Sequence, residues 1–298
     1  MEIIEIKPQG YCGGVRQAIA KVLKLKEQHP NEKITVLGTL VHNDYVRQAL
    51  DQKNIQTLEA KGKTRMELLD EIDEGIVVFT AHGVSDPLRQ KAQSKGLQIL
   101  DASCPFVLQT QKLVKEQVQQ EATVFYIGKK GHPEAEAVTT SHDKVYLISC
   151  EDDIPKGVKG PVFVTNQTTM SILDIQDLFE KIKAKYPDAL MNDEICNATR
   201  VRQQAILDLK ENRPDVLIVV GDPSSNNTLQ LEAIGKKAGI EKVIRIEKAA
   251  DLDLSCLDSN AKVAVTSGAS TPAWLRQQVL DLLADPTAST DVMLDEIL

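Results

Sequence analysis

Apolar positions along this chain fall into two patterns that alternate. One is the short unbroken run: Ile34-Thr35-Val36-Leu37, Ile76-Val77-Val78-Phe79, Ala122-Thr123-Val124-Phe125-Tyr126-Ile127 and Val216-Leu217-Ile218-Val219-Val220. Runs this short, rich in β-branched residues, fit strands buried on both faces. Weaker runs over 145–148, 161–164, 243–246 and 263–265 predict four more strands, and a brief one centres on 55–58. The other pattern is helical spacing: Val15, Ala18, Ile19 and Val22; Val46, Ala49 and Leu50; Val107, Val114 and Val118; Val201, Ala205 and Leu209. Further helices are expected over 86–95, 172–185 and 272–283, while 61–64 reads as a solvated connection. Strands alternating with helices in this way predict an α/β protein with small, mainly parallel sheets.

Three of the helical stripes follow a cysteine. Cys12, Cys104 and Cys196 are evenly spaced along the chain, and each closes a short run: Glu2-Ile3-Ile4-Glu5-Ile6, Gln98-Ile99-Leu100 or Ala189-Leu190-Met191. Pro105 suits the first position of the helix after Cys104. A repeat of this length fits a small α/β lobe rather than a solenoid unit. The expected division is one lobe over 13–103, a second over 104–195 and a third over 196–283. The last third ends without its own closing strand, so residues 1–12 are expected to complete it, leaving a thin tail over 284–298. Three similar lobes arranged pseudo-threefold around a central cavity would result. Polar loops would then sit at the carboxyl ends of the strands, where parallel sheets bind ligands. These loops carry His42 and His82, His132 and Thr168, and Ser224 and Ser270.

That residue set narrows the chemistry. Three converging thiolates with no fourth matching cysteine imply a metal centre with one position open. Zinc, copper(I) or an iron–sulfur cluster would suit such donors. Free N–H groups at the helix starts favour the thiolate form. Cys150 and Cys256 fall outside the repeat and read as packed small residues, and His29 and His142 read as structural. His42, His82 and His132, taken as a set at strand ends, read as donors to an anion. Ser224, Ser225, Asn226 and Ser270 add hydroxyl and amide donors ahead of predicted helices, whose N–H groups bind phosphate oxygens. Glu134, directly after His132-Pro133, is placed to move protons in a closed cavity.

Composition adds exclusions. The chain is 42% hydrophobic and 4% aromatic, ordinary for a globular protein. No apolar stretch is long enough to cross a membrane, and the start lacks the features of a signal or transit peptide. A net charge of −8 argues against a general nucleic-acid surface. Five scattered cysteines favour metal or redox chemistry over a disulfide framework, as in the cytoplasm. The expectation is a cytoplasmic protein with neither membrane nor nucleic-acid partner.

Several ordered motifs go further: Gly-Tyr-Cys12-Gly-Gly-Val, Val-His42-Asn, Ala-His82-Gly-Val-Ser, Asp-Ala-Ser-Cys104-Pro and Gly-His132-Pro-Glu134. Asn-Gln-Thr168-Thr, Ile-Cys196-Asn-Ala-Thr-Arg, Ser224-Ser225-Asn226 and Gly-Ala-Ser270-Thr-Pro follow. In these motifs, from Gly10 to about Leu275, the chain resembles the 4-hydroxy-3-methylbut-2-enyl diphosphate reductases of the non-mevalonate isoprenoid pathway. The resemblance implies a [4Fe–4S] cluster on Cys12, Cys104 and Cys196, with the substrate hydroxyl oxygen at the fourth iron. It also implies that His42, His82, Ser224, Ser225, Asn226 and Ser270 hold the diphosphate, with His132 close by. Glu134 would deliver a proton to the departing hydroxyl, and Thr168 would hydrogen-bond to that group. Isopentenyl and dimethylallyl diphosphate would be the products, and a ferredoxin- or flavodoxin-like carrier would supply the electrons. One departure stands out: Gly221-Asp222-Pro223 occupies a place where Gly-Gly and a basic or polar residue are expected. A carboxylate there is unfavourable beside a diphosphate unless it points away. Two other readings remain on the residues alone, a three-cysteine zinc hydrolase of a phosphorylated metabolite and a non-catalytic iron–sulfur sensor.

Overall fold

The structure is a computed structural model that describes residues 1–209 and 213–298. The strand pairs among the described residues are all parallel and form three four-stranded sheets. The N-terminal strand β1 (Glu2–Glu5) belongs to the third of these. The first sheet contains β2 (Ile34–Leu37), β3 (Gln56–Leu58), β4 (Ile76–Phe79) and β5 (Gln98–Asp101), in the spatial order β3-β2-β4-β5. The second contains β6 (Thr123–Ile127), β7 (Val145–Ile148), β8 (Val162–Asn166) and β9 (Leu190–Met191), ordered β7-β6-β8-β9. The third contains β10 (Val216–Val220), β11 (Lys242–Ile246), β12 (Lys262–Ser267) and β1, ordered β11-β10-β12-β1. The same order therefore recurs three times, with the strand that leads to a cysteine always at one edge. In the third sheet that edge strand comes from the start of the chain, with Glu2 opposite Lys262 and Glu5 opposite Val265.

Parallel neighbours need crossover connections, and helices supply most of them. They are α1 (Gly13–Gln28), α2 (Asp44–Gln52), α3 (Arg65–Asp70), α4 (Asp86–Ser94), α5 (Pro105–Gln119), α6 (Pro133–Thr139), α7 (Ile172–Lys185), α8 (Asn197–Leu207), α9 (Asn226–Lys237) and α10 (Ala273–Ala284). The central strands β2, β4 and β10 are buried along their whole length, as the unbroken apolar runs require.

The chain folds as two compact units. One comprises Met1–Arg16, Val41–Lys53 and Asn197–Leu298 and holds the third sheet. In its core Ile218, Val220, Val263 and Val265 pack against Val279, Leu282 and Leu283 of α10. The other comprises Gln17–Leu40 and Asn54–Cys196 and holds the first and second sheets. There Leu37, Val77 and Phe79 pack on Leu68, Leu69 and Leu88, while Val124, Tyr126 and Phe163 pack on Val114, Ala135 and Val138. Each such fully buried aliphatic side chain stabilises the fold by roughly 1.5–3 kcal/mol relative to exposure.

Four features differ from the sequence expectation. Helix α3 follows the supposed connection at 61–64, nucleated by a capping box in which Thr64 and Glu67 satisfy each other's backbone N–H. The buried face of α8 is Thr199, Arg202, Gln203 and Ile206, not the stripe Val201, Ala205 and Leu209, because polar partners lie under it. Arg202 donates to the carbonyls of Gly10 at 2.7 Å and Ala198 at 2.8 Å. The tail is packed: Ile297 is buried, its carbonyl accepts from the Tyr11 hydroxyl at 2.7 Å, and Gln278 donates to the carbonyl of Asp291. Cys150 and Cys256 are exposed rather than packed inside.

Candidate active site

A single backbone hydrogen bond recurs at all three cysteine corners. The N–H of Cys104 donates to the carbonyl of Ala81, in the loop after β4, at 3.0 Å. The N–H of Cys196 donates to Thr168, after β8, at 3.1 Å, and that of Cys12 donates to Ala269, after β12, at 2.9 Å. Each cysteine thus docks on the loop that follows the strand next to its own edge strand. Each also stands immediately before a helix. Cys104 is the N-cap of α5, and the Cys12 carbonyl accepts from Arg16 at 3.0 Å in the first turn of α1. The N–H of Val15 points at the Cys12 sulfur at 3.5 Å. All three are half-buried thiols, and among the described residues no cysteine is in a disulfide.

The loops of the second sheet bring together the acid and its partners. His132 caps α6, its Nδ1 accepting from the N–H of Glu134 at 3.1 Å. Glu134 is 2% exposed. Its Oε1 accepts from the Thr168 N–H at 2.7 Å and from the Tyr126 hydroxyl at 3.4 Å. Its Oε2 accepts from the Thr168 hydroxyl at 2.9 Å. Burial pushes the Glu134 carboxyl up to about 7, against the opposing pull of the donors on Thr168 and Tyr126. Burial and the neighbouring Glu134 carboxylate in turn hold the Tyr126 phenol protonated.

The first sheet adds His82, whose ring meets that of His132 edge to face at 5.6 Å. His82 Nδ1 lies 3.3 Å from the Thr80 hydroxyl, and Arg65 spans the same loop, donating to Thr80 Oγ1 at 3.0 Å and to the Gly83 carbonyl at 2.8 Å. Gly83 takes φ +76°, and a Cβ there would lie 2.9 Å from Val107 of α5, so glycine is required where the loop passes that helix.

The unit built on the third sheet carries the remaining candidates. Ser270 donates to the His42 carbonyl at 3.0 Å and lies 3.4 Å from the Ser225 hydroxyl. Ser225 is the N-cap of α9, accepting from Thr228, and Asn226 opens the helix; both are buried. Asn43, next to His42, is the N-cap of α2. Ser224 is exposed and turns its hydroxyl onto Asp222 Oδ1 at 2.5 Å, where its own N–H also donates at 2.7 Å. Asp222 Oδ2 accepts from the Asp44 N–H at 2.9 Å. The departing carboxylate is therefore consumed inside its own loop and at the start of α2.

Sequence reasoning passed over three residues that shape these loops, Arg65, Tyr126 and Asn227, and left the part of a fourth, Asp222, open. Arg65 lies in the unexpected helix α3, and the Thr64-to-Glu67 spacing was its signal. Tyr126 read simply as part of an apolar strand. Asp222, singled out in the sequence as unfavourable beside a diphosphate unless it points away, has its partners in Ser224 and the Asp44 N–H. Asn227, buried, accepts from the Ala269 N–H at 2.8 Å and donates to Thr199 at 3.2 Å, so it anchors the loop that receives Cys12.

Among the described residues, no three His, Cys, Asp or Glu side chains are grouped to hold a metal ion. A single ion needs its thiolates about 2.3 Å from one point, whereas the cysteines of an iron–sulfur cluster bind different irons and stand farther apart. Half-buried thiols at helix starts are the soft donors such a cluster takes. No helix among the described residues is long and apolar enough to cross a membrane.

Comparison with known proteins places the chain in a family. Over 288 residues the chain is 43% identical to a 4-hydroxy-3-methylbut-2-enyl diphosphate reductase of Anoxybacillus flavithermus, covering 95% of this chain and 90% of that one. It is 46% identical over 285 residues to the Listeria monocytogenes protein of the same name, covering 94% and 85%. The solved E-1-hydroxy-2-methyl-but-2-enyl-4-diphosphate reductase of Plasmodium falciparum superposes with a TM-score of 0.86 at 28% identity, over 96% of this chain and 89% of that one. The family profile described as LytB protein matches residues 3–284, and the chain belongs to that family.

Proposed function

We infer that this chain is a 4-hydroxy-3-methylbut-2-enyl diphosphate reductase, a soluble cytoplasmic enzyme that removes the allylic hydroxyl of its substrate. In the net reaction the substrate takes up two electrons and two protons. The C–O bond breaks, one proton leaves with the oxygen as water, and the other ends on carbon, giving isopentenyl or dimethylallyl diphosphate. Cys12, Cys104 and Cys196 stand where the repeats over 13–103, 104–195 and 196–283 with 1–12 meet, one at each junction. Cys12, Cys104 and Cys196 would hold a [4Fe–4S] cluster, which when bound supplies electrons one at a time and a Lewis-acidic iron for the leaving oxygen. A ferredoxin- or flavodoxin-like carrier is the electron source.

The observation that supports this reading is the position of Thr168. Its N–H and hydroxyl both reach Glu134, while its carbonyl receives the N–H of Cys196. One residue thus ties a proton source to a cysteine corner. The two carboxyl oxygens are not equivalent. Oε1 faces a backbone N–H, which only donates, so the proton of the neutral acid sits on Oε2. There it faces the Thr168 hydroxyl, which can accept that proton and pass its own to a leaving hydroxyl. A hydroxyl is a poor leaving group, and an acid held near pH 7 is matched to protonating it. His82, His132, His42, Ser225, Asn226 and Ser270 would supply donors to the diphosphate. Ser224 would do so through its exposed loop position only when its hydroxyl leaves Asp222.

The test is an anaerobic assay of the purified protein with the allylic diphosphate and a strong reductant, alongside iron, sulfide and zinc analysis. Brown protein containing iron and sulfide that yields both five-carbon diphosphates is the expected result. Colourless protein with stoichiometric zinc and no reduction would remove this reading in favour of a hydrolase.

A further inference from the structure

The imidazole of His82 is approached by a chain of groups whose donor and acceptor roles are fixed one after another. Arg65 opens helix α3 and lays its guanidinium against Gly38 and across the loop after β4. Its Nη1 donates to the carbonyl of Gly83 at 2.8 Å and its Nη2 to Thr80 Oγ1 at 3.0 Å, bracketing His82 on both sides in sequence. A guanidinium has no acceptor, so the Thr80 oxygen must accept in that contact. Desolvation lowers the Arg65 pKa to about 10, and the group stays charged at neutral pH, with Glu136 and Glu59 as its opposing charges. Thr80 is fully buried, and the other partner of its hydroxyl is His82 Nδ1 at 3.3 Å. With the oxygen already accepting from Arg65, the single hydroxyl hydrogen goes to that nitrogen. If Thr80 instead accepted from both neighbours, its hydrogen would be buried without an acceptor, at a cost of about 1–3 kcal/mol. Nδ1 is therefore an acceptor, and the proton of the neutral ring lies on Nε2.

His132 reaches the same state by another route. Its Nδ1 accepts the backbone N–H of Glu134 at 3.1 Å, so its proton also lies on Nε2. The two rings stand edge to face at 5.6 Å. A backbone amide cannot change role, but a threonine hydroxyl can rotate. The arginine removes that freedom.

We propose that Arg65 is a positioning residue which, through the Thr80 hydroxyl, fixes His82 with its proton on Nε2, so that the ring offers an N–H to a diphosphate oxygen. The placement of the diphosphate at His82 rests on the function proposed above; the tautomer does not. Lysine at position 65 can reach Thr80 or Gly83 as a point charge but cannot bracket both in one plane. Serine at position 80 keeps the hydroxyl, and valine removes it with little change of shape.

Two measurements on the purified holoenzyme test this. Proton–nitrogen correlation spectra of histidine-labelled protein, with His82 assigned by its loss in His82→Gln, report which ring nitrogen is protonated. Calorimetry with inorganic diphosphate reports the anion site without turnover. In the wild type, His82 should show Nε2 protonated and Nδ1 bare. Thr80→Val and Arg65→Met should each give mixed tautomers and weaken diphosphate binding by the inverse of the remaining Nε2-protonated fraction, about twofold for an even mixture. Thr80→Ser should restore both readouts, and the double variant should be no worse than either single one, as expected of residues acting through one chain. If Arg65→Met fails to fold, Thr80→Val and Thr80→Ser decide alone. A wild-type ring protonated on Nδ1, or a tautomer unmoved in Thr80→Val, overturns the proposal. So does a shifted tautomer with undiminished diphosphate affinity. A wild-type protein that binds diphosphate but reduces no substrate would count against the proposed function and leave this inference standing.

Discussion

Glu134 and Asp222 are both buried carboxyl groups in the segment after a central strand, β6 in one sheet and β10 in another, yet their donors differ in kind. Asp222 has a backbone N–H on each oxygen, from Ser224 on Oδ1 and from Asp44 on Oδ2, with the Ser224 hydroxyl added to the first. Backbone N–H groups cannot reverse, so both oxygens are held as acceptors within their loop. Glu134 has a backbone N–H on Oε1 alone, and Oε2 meets only a hydroxyl. That oxygen can hold a proton or release it, and burial brings the exchange to about pH 7. One carboxylate works as a fixed staple of its loop and the other as a proton store. Burial is nearly the same, at 6% and 2% exposure, so the identity of the donors rather than depth separates the roles.

The sharpest way to break this comparison is Glu134→Gln. The carboxamide can place its oxygen on the Thr168 N–H and its NH2 on the Thr168 hydroxyl, reproducing the protonated acid in shape while having no proton to give. Turnover is expected to fall by about 10²–10⁴-fold, the usual weight of a general acid. Stability should move the other way. A carboxyl whose pKa is raised on folding binds its proton more tightly folded than unfolded. Wild-type stability therefore falls as pH rises from about 4.5 to about 7 and levels off above. The variant lacks that decline, so its stability advantage should open across that window and reach on the order of 3 kcal/mol at most above it. Wild-type kcat should fall as pH rises past about 7, where the acid loses its proton. Denaturant melts at pH 5 and pH 8 with product assays check both arms. Retained turnover would take Glu134 out of the proton path.

Asp222→Asn asks the same of the staple and should hurt less. Whichever way the amide turns, its NH2 faces a backbone N–H, from Ser224 or from Asp44, and an N–H loses its acceptor. The cost is about 1–3 kcal/mol of stability, read as a lower melting temperature. Because the residue orders the loop carrying Ser224 and Ser225, KM for the diphosphate substrate should rise while kcat holds. A collapse of kcat comparable to that of Glu134→Gln would mean that Asp222 also handles protons, and the contrast between the two groups would fail.

Much of this frame could be read from the chain. The apolar runs that became β2, β4, β6 and β10 are buried on both faces, and nothing but a parallel sheet covered by helices accommodates them. The evenly spaced cysteines foretold three corners, and each corner has the same backbone hydrogen bond. The alignment within the loops was off by one residue. The carbonyls that receive the cysteine N–H groups belong to Ala81, Thr168 and Ala269, so His82 and Ser270 correspond to Thr169 rather than to Thr168. Helix caps shift the other set likewise: Asn43, His132 and Ser225 are the equivalent positions, not His42, His132 and Ser224. Loop lengths differ between repeats, and backbone registers leave no mark in residue type. The polar buried face of α8 was equally hidden, because periodicity scores apolar residues and this helix buries Arg202 and Thr199 on polar partners.

The smallest expected effect belongs to Tyr126→Phe, which refines the description of Glu134 rather than threatening it. The phenol donates to Oε1 at 3.4 Å, near the limit of a hydrogen bond, whereas the Thr168 N–H donates to the same oxygen at 2.7 Å. Removing the hydroxyl leaves the ring in its packing against Val124 and Phe163 and takes away the weaker of two donors. It also spares the burial of a phenolic oxygen, so global stability should change by less than about 1 kcal/mol. Loss of a donor to the charged form favours the neutral acid, so the fall of kcat with rising pH should move upward, by less than about one unit. A downward movement would show that the phenol stabilises the protonated carboxyl instead. The proton would then have to sit on Oε1, and the assignment of Oε2 as the proton-carrying oxygen would be lost.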